Sequence, residues 1–219
     1  MFWINSTPIT SVVIAGTGGC GLEVLDYVNS VAQNGGPPIA GFIDDNQRPS
    51  HFFTEIQSNY LGTIDNFTPN PGQIVIVAIG SKVKARREVL ERLWAKGIST
   101  PAFIAPNVIL SPSAIVERAS IVCSFSIINR NATLGAGVIV NVHCSVAHGA
   151  KVGAYSILSP YAALNGDAEI GHSCFLGTRA TIYPRIKIGD ECVVTSHTGV
   201  RKNAADRKKN RQLWRLSST

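Results

Sequence analysis

The sequence predicts two domains, a small Rossmann-like α/β domain followed by a parallel β-helix. Two observations carry this prediction. A strand, a glycine-rich loop and a helical pattern follow one another over residues 11–28. An aliphatic residue then recurs at every sixth position from residue 110 to residue 200. We therefore divide the chain of 219 residues into residues 1–105, residues 106–203 and a basic C-terminal tail of residues 204–219.

The first domain begins with an apolar run at residues 11–15 that predicts a buried strand, followed by a glycine loop at residues 16–21 and a helical pattern from Leu22. This order is typical of phosphate-binding sites, because backbone N–H groups at a helix N-terminus can approach an anion closely. A tight strand-to-helix turn without a ligand has the same pattern. The loop is therefore a candidate phosphate site.

Two further strands, predicted over residues 39–45 and 73–80, end in polar or glycine residues. Ligands bind at such strand ends in open α/β sheets. Asp44 and Asp45 can accept hydrogen bonds from a base or a ribose, or can act as turn or helix caps. No domain for hydride chemistry follows this short fold, which argues against an NAD-dependent oxidoreductase.

A helix is predicted from about residue 84 to residue 96, and Pro101 and Pro106 bracket the junction with the repeats. The six-residue period that follows fits neither a helix nor an isolated strand. It suits a triangular coil of about 18 residues in which each side buries one aliphatic side chain. The aliphatic series is Leu110, Val116, Val122, Ile128, Leu134, Val140, Val146, Val152, Leu158, Leu164, Ile170, Leu176, Ile182, Ile188, Val194 and Val200.

Small residues and glycines accompany the aliphatic series. A small side chain usually stands two positions before each aliphatic and is expected to pack inside, Cys144, Cys174 and Cys192 among them. A glycine often follows directly, as at Gly135 and Gly153. We expect these glycines at turns that require positive φ.

Composition excludes several function classes. The net charge of +6 arises after Val200, where seven Lys or Arg residues face one Asp, so the rest of the chain is neutral. A net charge near zero over residues 1–200 argues against an extended basic surface that binds nucleic-acid phosphates. The sequence has no long apolar stretch for membrane insertion and no CxxC pair among its five cysteines. We expect a cytoplasmic protein that holds no metal.

Six segments carry a family resemblance. They are residues 16–21, 42–45, 78–80, 111–117, 141–148 and 174–177. Together they resemble the sialic acid O-acetyltransferase and nucleotide-amino-sugar N-acetyltransferase family, and within it the enzymes that acetylate UDP-4-amino sugars in bacillosamine synthesis. The resemblance implies a left-handed β-helix, acetyl-CoA as the acetyl donor, and a homotrimer with active sites between neighbouring helices.

The same resemblance assigns residues to the site. The expected contacts to a nucleotide-linked amino sugar are Gly18, Gly19, Cys20, Gly21, Asp44, Asp45 and Gly80. His148, seven residues after Asn141, matches the general base of the family, and Asn141 is expected to help place the substrate. The expected contacts to acetyl-CoA are Gly166, Thr178 and Ser196.

Acyl transfer from a thioester needs a neutral amine or an activated hydroxyl, a group that accepts its proton, and a donor to the developing oxyanion. Imidazole titrates near neutral pH, so His148 suits the proton transfer and direct attack on the thioester needs no covalent intermediate. In the resembling family an acidic residue commonly follows the base, where this chain has Gly149. A histidine that contacts acetyl-CoA in relatives is Ile157 here. The segment 207–215 is a candidate contact to the CoA phosphates.

Three alternatives remain open at this point. O-acetylation of a sugar or of sialic acid fits the same residues. A metalloenzyme of the γ-type carbonic anhydrase class is suggested by the spacing of His143 and His148, but its third ligand would fall near Asn107. A catalytic zinc normally needs three protein ligands. A non-catalytic module that binds a nucleotide sugar is suggested by Gly149 and Ile157.

Overall fold

In a computed structural model, which describes residues 3–4, 8–46 and 59–210, the N-terminal domain is a parallel sheet of order β3-β2-β4 between two helices. The elements are β1 (Trp3–Ile4), β2 (Ser11–Ala15), α1 (Gly19–Gln33), β3 (Ile39–Ile43), β4 (Gln73–Val77) and α2 (Val83–Ala95). Val12 and Ile14 of the central strand pack in the apolar cluster that contains α1. Val13 and Ala15 pack in the cluster that contains α2. The sheet is therefore buried on both faces, as parallel sheets are.

The second domain is a left-handed parallel β-helix, as predicted. Its strands are β5 (Ala102–Ile104), β6 (Ile109–Leu110), β7 (Ile115–Val116), β8 (Ile121–Val122), β9 (Ile127–Ile128), β10 (Thr133–Leu134), β11 (Ile139–Val140), β12 (Ser145–Val146), β13 (Lys151–Val152), β14 (Ile157–Leu158), β15 (Ala163–Leu164), β16 (Glu169–Ile170), β17 (Phe175–Leu176), β18 (Thr181–Ile182), β19 (Lys187–Ile188), β20 (Val193–Val194), β21 (Gly199–Val200) and β22 (Lys209–Asn210). Each strand pairs with the strand one coil away, as Ile139 does with Ile121 and Ile157.

The strands form three faces. Face one contains β5, β8, β11, β14, β17, β20 and β22, with β1 antiparallel at its edge; face two contains β6, β9, β12, β15, β18 and β21; face three contains β7, β10, β13, β16 and β19. We call the turns from face one to two, from two to three and from three to one the first, second and third corners. The repeating aliphatic and small residues, including Cys144, Cys174 and Cys192, pack together inside the coil. The hexad prediction is confirmed.

The glycines that follow the aliphatic residues do not have the conformation we expected. Positive φ occurs three positions after the aliphatic, at Gly137 with 69° and at His143 with 58°, and not at Gly135 or Gly153. A Cβ at Gly135 would lie 2.8 Å from the backbone nitrogen of Ala154 on the next coil. These glycines are therefore required by the close approach of successive coils, and the prediction of positive φ there was wrong.

A buried arginine joins the two domains. Arg86 of α2 has no exposed surface. Its guanidinium donates to the carbonyl oxygen of Val77 in the N-terminal sheet, and to those of Ala119 at 2.8 Å and Gly137 at 3.0 Å at the third corner. Burial lowers the pKa of Arg86 to about 10, so the group still carries its charge at neutral pH. Sequence reasoning did not single out this residue.

The β-helix pairing extends beyond the repeat region. Phe103 of β5 already pairs with Ile121 of β8. At the other end, Ala204 forms a bridge with Ile188, and β22 pairs in parallel with β20. The start of the basic segment therefore continues the coil, and residues 211–219 lie outside the described residues. Among the helices of the described part, none has the length and apolarity needed to cross a membrane.

Candidate functional site

The glycine loop leaves the N-terminus of α1 open. The helix begins at Gly19 after Gly18, and within the described residues no side chain caps it and no acidic residue lies in its first turn. No described atom lies within 4 Å of where a Cβ at Gly18 or Gly19 would stand, whereas a Cβ at Gly21 would collide with the carbonyl oxygen of Gly16. The inner glycine closes the turn and the outer two face free space. Such a helix end attracts an anion through its dipole and its backbone N–H groups.

The carboxylate of Asp44 holds this loop in place. Its Oδ2 accepts hydrogen bonds from the backbone N and the Oγ1 of Thr17, both at 2.8 Å. Its Oδ1 accepts the backbone N of Asn46 at 2.8 Å. The structure therefore brings Asp44 to the glycine loop, where it supports the backbone from the end of β3.

Asp45 points its carboxylate toward α2 instead. It forms an ion pair with Arg92 at 2.5 Å and accepts the backbone N of Ile64 at 3.1 Å. The hydrogen bond from Arg92 is the main cause that lowers the pKa of Asp45. The two adjacent aspartates thus serve different contacts.

Cys20 and Gly80 meet beside the loop. A Cβ at Gly80 would lie 3.0 Å from the Cys20 Sγ, so the glycine lets the chain after β4 pass close to α1. Burial raises the pKa of the Cys20 thiol to about 11, which keeps it neutral near pH 7. The loops after β2, β3 and β4 therefore converge, as the sequence predicted for an open α/β sheet.

Helix α1 packs on face one of the β-helix. Tyr27 packs against Phe103 with ring centroids 6.4 Å apart, and its hydroxyl lies beside Ser124 at the first corner. Ile157 is fully buried in the same apolar cluster, and Val142 packs at its edge. Ile157 therefore contributes to the contact between the domains.

Asn141 and His148 flank strand β12 of face two. Asn141 is half-buried at the first corner, and its Oδ1 accepts the backbone N of Val142 at 2.8 Å. His148 is exposed at the second corner. A Cβ at Gly166 would lie 2.5 Å from the His148 Cε1, so the imidazole packs against the bare backbone of the next coil. The structure thus brings the predicted base together with one of the predicted acetyl-CoA contacts.

Thr178 and Ser196 lie on successive coils at the first corner. The backbone N of His197 donates to the Thr178 carbonyl oxygen at 2.8 Å. A Cβ at Gly177 would lie 2.5 Å from the backbone N of Ser196, so the coils approach closely there. The predicted acetyl-CoA residues therefore lie on both edges of face two, in the coils that follow Asn141. Small side chains point outward from this face between them, Ser145 and Ala163 among them.

His143 belongs to a column of stacked rings at the first corner. Its ring lies 4.8 Å from that of Tyr161 and 5.2 Å from that of Phe125, at interplanar angles of 7° and 11°. Arg179 lies over the Tyr161 ring at 5.0 Å. The described residues contain no group of three or more His, Cys, Asp or Glu side chains that could hold a metal ion. The stack gives His143 a packing role.

Sequence reasoning missed Asp167. Its Oδ1 occupies the position that a Cβ at Gly149 would need. The two residues are one coil apart, so the repeat itself was the signal that could have placed them together.

Three comparisons place this geometry among known proteins. Residues 11–93 match the PglD N-terminal domain family. The acetyltransferase domain of PglB from Neisseria gonorrhoeae is similar over 89% of this chain and 93% of that chain, with a TM-score of 0.79 and 26% identity. A mutant of perosamine N-acetyltransferase from Caulobacter crescentus, in complex with CoA and GDP-perosamine, is similar over 93% and 94%, with a TM-score of 0.79 and 25% identity. A search of curated proteins finds no match.

Proposed function

The chain belongs to the family of acetyl-CoA-dependent sugar N-acetyltransferases that join a PglD N-terminal domain to a left-handed β-helix, and from this premise we propose that it acetylates a nucleotide-linked amino sugar. The open N-terminus of α1 carries the proposal. Its first turn has no acidic side chain, and Asp44 holds the loop that leads into it. A diphosphate is the anion that fits such a helix end.

The nucleotide lies at the converging loops of the N-terminal domain in this proposal. Backbone N–H groups of residues 18–21 bind the diphosphate, and the chain at Gly80 and the end of β3 line the remainder of the site. The similarity to an enzyme crystallised with GDP-perosamine supports this class of substrate. We extend the proposal to UDP-linked and dTDP-linked amino sugars, because a site built mainly from backbone N–H groups recognises the diphosphate that all of them share.

His148 acts as the general base. It accepts a proton from the sugar amine as the nitrogen attacks the thioester carbonyl carbon, and the C–N bond forms while the C–S bond breaks. The proton then passes from the imidazolium to the CoA thiolate. Imidazole is suited to both transfers because it titrates near neutral pH. Asn141 places the substrate, and Gly166, Thr178 and Ser196 contact acetyl-CoA along the edges of face two.

The chain forms a homotrimer in this proposal. Large apolar side chains are exposed at the first corner and on face two, including Ile109 at 64%, Phe125 at 56% and Tyr161 at 47%. Exposed apolar surface of this kind commonly marks a contact with another chain. Light scattering should give three times the 23.4 kDa chain mass; a monomer mass would contradict the trimer.

The direct test measures CoA released from acetyl-CoA with a panel of UDP-, GDP- and dTDP-linked amino sugars. We expect release with at least one of them and none with the matched nucleotide sugar that carries a hydroxyl in place of the amine. Release with the hydroxyl sugar alone, or with sialic acid, would instead indicate O-acetylation. Binding of the amino sugars without any release would indicate a non-catalytic binding module.

Asp44 offers a test of the proposed nucleotide site. Asp44→Ala removes two hydrogen bonds that hold Thr17, each worth about 1 kcal/mol. We expect the KM for the nucleotide sugar to rise about tenfold with kcat within about twofold of wild type. Steady-state kinetics at varied nucleotide-sugar concentration measure this. The matched control is Asp65→Ala, which breaks an ion pair with Arg92 away from the loop; an equal rise in KM there would contradict the assignment.

A further inference from the structure

The imidazole of His148 leans onto the following coil. A Cβ at Gly166 would lie 2.5 Å from its Cε1 and 2.6 Å from its Nε2. The backbone N of Asp167 donates to the His148 carbonyl oxygen at 2.9 Å, which aligns the two coils at this corner. The imidazole can take this position because residue 166 is glycine and has no side chain.

Asp167 directs its carboxylate back toward the residue that follows His148. Gly149 has a φ of 66°, and the Asp167 Oδ1 occupies the place that its Cβ would take. An aspartate one coil further along the chain thus supplies a negative charge where residue 149 has no side chain. The substitution of a bulkier residue for Gly149 would displace this carboxylate.

At the third corner a different aspartate contacts a histidine of the preceding coil directly, and there the glycine precedes the histidine. The Asp190 Oδ1 occupies the place of a Cβ at Gly171 and accepts the backbone N of His172 at 2.8 Å, across a separation of 18 residues. The Asp190 Oδ2 lies 3.0 Å from the His172 Nε2. The coil geometry of this chain therefore allows an aspartate to reach back one coil and support a histidine next to a glycine.

The other charged groups around the second corner leave Asp167 available. Arg130 on the preceding coil and Arg185 on the following coil are both exposed. Lys151 and Glu169, on face three beside this corner, pair with each other at 3.4 Å. Among the ion pairs of residues 8–46 and 59–210, none involves Asp167. Its charge is therefore not neutralised by a direct protein partner.

We propose that Asp167 is the positioning residue of His148 and that its carboxylate stabilises the imidazolium formed during acetyl transfer. This inference rests on the proposed function, in which His148 accepts the amine proton. No direct ion pair joins the two side chains within the described part of the chain, so the proposed effect of the carboxylate on the imidazole is a through-space effect of its charge. The proton passes only from the amine to His148 and then to the CoA thiolate. A nearby negative charge raises the pKa of an imidazole and makes it a stronger base.

The test uses the full chain with Asp167→Asn and Asp167→Glu. For Asp167→Asn we expect kcat to fall about threefold and the acid limb of the kcat/KM profile to move to lower pH by about half a unit, because the imidazole loses a stabilising charge. The KM for acetyl-CoA should stay within about twofold. Asp167→Glu should restore most of kcat. Histidine NMR titration of the free protein should give a lower His148 pKa in Asp167→Asn.

Asp190→Asn is the matched control, because it removes an aspartate that contacts another histidine of the β-helix at the third corner. It should leave kcat and the acid limb unchanged. The proposal would be wrong if Asp167→Asn kept the wild-type acid limb of the kcat/KM profile and the wild-type His148 pKa. This holds even if His148→Ala abolishes turnover. If the wild-type protein releases no CoA with any sugar, the proposed function fails. The NMR titration still decides whether Asp167 raises the His148 pKa.

Discussion

Replacement of His148 by alanine is expected to lower kcat for acetyl transfer at least about a hundredfold, because a positioned general base contributes about 10²–10⁴ in rate. Alanine leaves the amine proton without an acceptor at the edge of face two. His148 is exposed and its ring packs on the backbone at Gly166, so its removal leaves the core of the coil unchanged. The KM values for both substrates should stay within about threefold. Continuous detection of free CoA measures the loss.

His172→Ala is the control for this prediction. His172 is a partly exposed histidine of the same β-helix, but it lies at the third corner, where it pairs with Asp190. We expect it to retain most of the wild-type kcat. If His148→Ala turned over at the wild-type rate, His148 would have no part in proton transfer and the substrate amine would lose its proton to another group.

Arg86→Met is expected to lower the free energy of unfolding by about 3–5 kcal/mol, because a buried charged hydrogen-bond donor is lost and its acceptors remain. Methionine keeps much of the apolar length of the side chain but donates to none of the three carbonyl oxygens, those of Val77, Ala119 and Gly137. Two of these belong to the β-helix, so the change also weakens the link between the domains. Urea unfolding followed by fluorescence and by circular dichroism should reveal two separated transitions.

Arg87→Met tests whether the effect belongs to the buried position. Arg87 is the next residue of the same helix, and its ion pair with Glu91 is exposed. Exposed pairs of this kind contribute about 0.3–0.5 kcal/mol. A loss of similar size in both variants would contradict the role that we assign to Arg86.

The β-helix could be predicted from the sequence because its signal is strictly periodic. Every coil buries the same positions of the six-residue repeat, so the aliphatic residue at each sixth position directly identifies a side chain packed inside the coil. The backbone conformation of the turns was harder to predict. His143 and Tyr155 adopt positive φ although neither is glycine, because the repeated turn imposes that conformation whatever the side chain. Glycine placement alone therefore pointed to the wrong turn position.

The contacts across the domain junction could not be predicted. Arg86 follows Lys84 and precedes Arg87 in a polar helical stretch, so its burial depends on which side of α2 meets the β-helix. The sequence left Asp44 and Asp45 open between ligand contact and a capping role. Their carboxylates contact Thr17 and Arg92 respectively, and these different directions follow from the chain path after β3.

The 18-residue register is unbroken between Asn141 and Ser196, and this has a further consequence for how such a chain can vary. Substitutions on the surface of a coil leave every other position where it is. The deletion or insertion of a single residue between Asn141 and Ser196 would instead turn all later residues away from their corners. It would separate His148 from Gly166, or Thr178 from Ser196, while leaving each residue present. Between Asn141 and Ser196, length variants should therefore be tolerated only in whole coils, and protein engineering of the acetyl-CoA edge should add or remove complete turns of the helix.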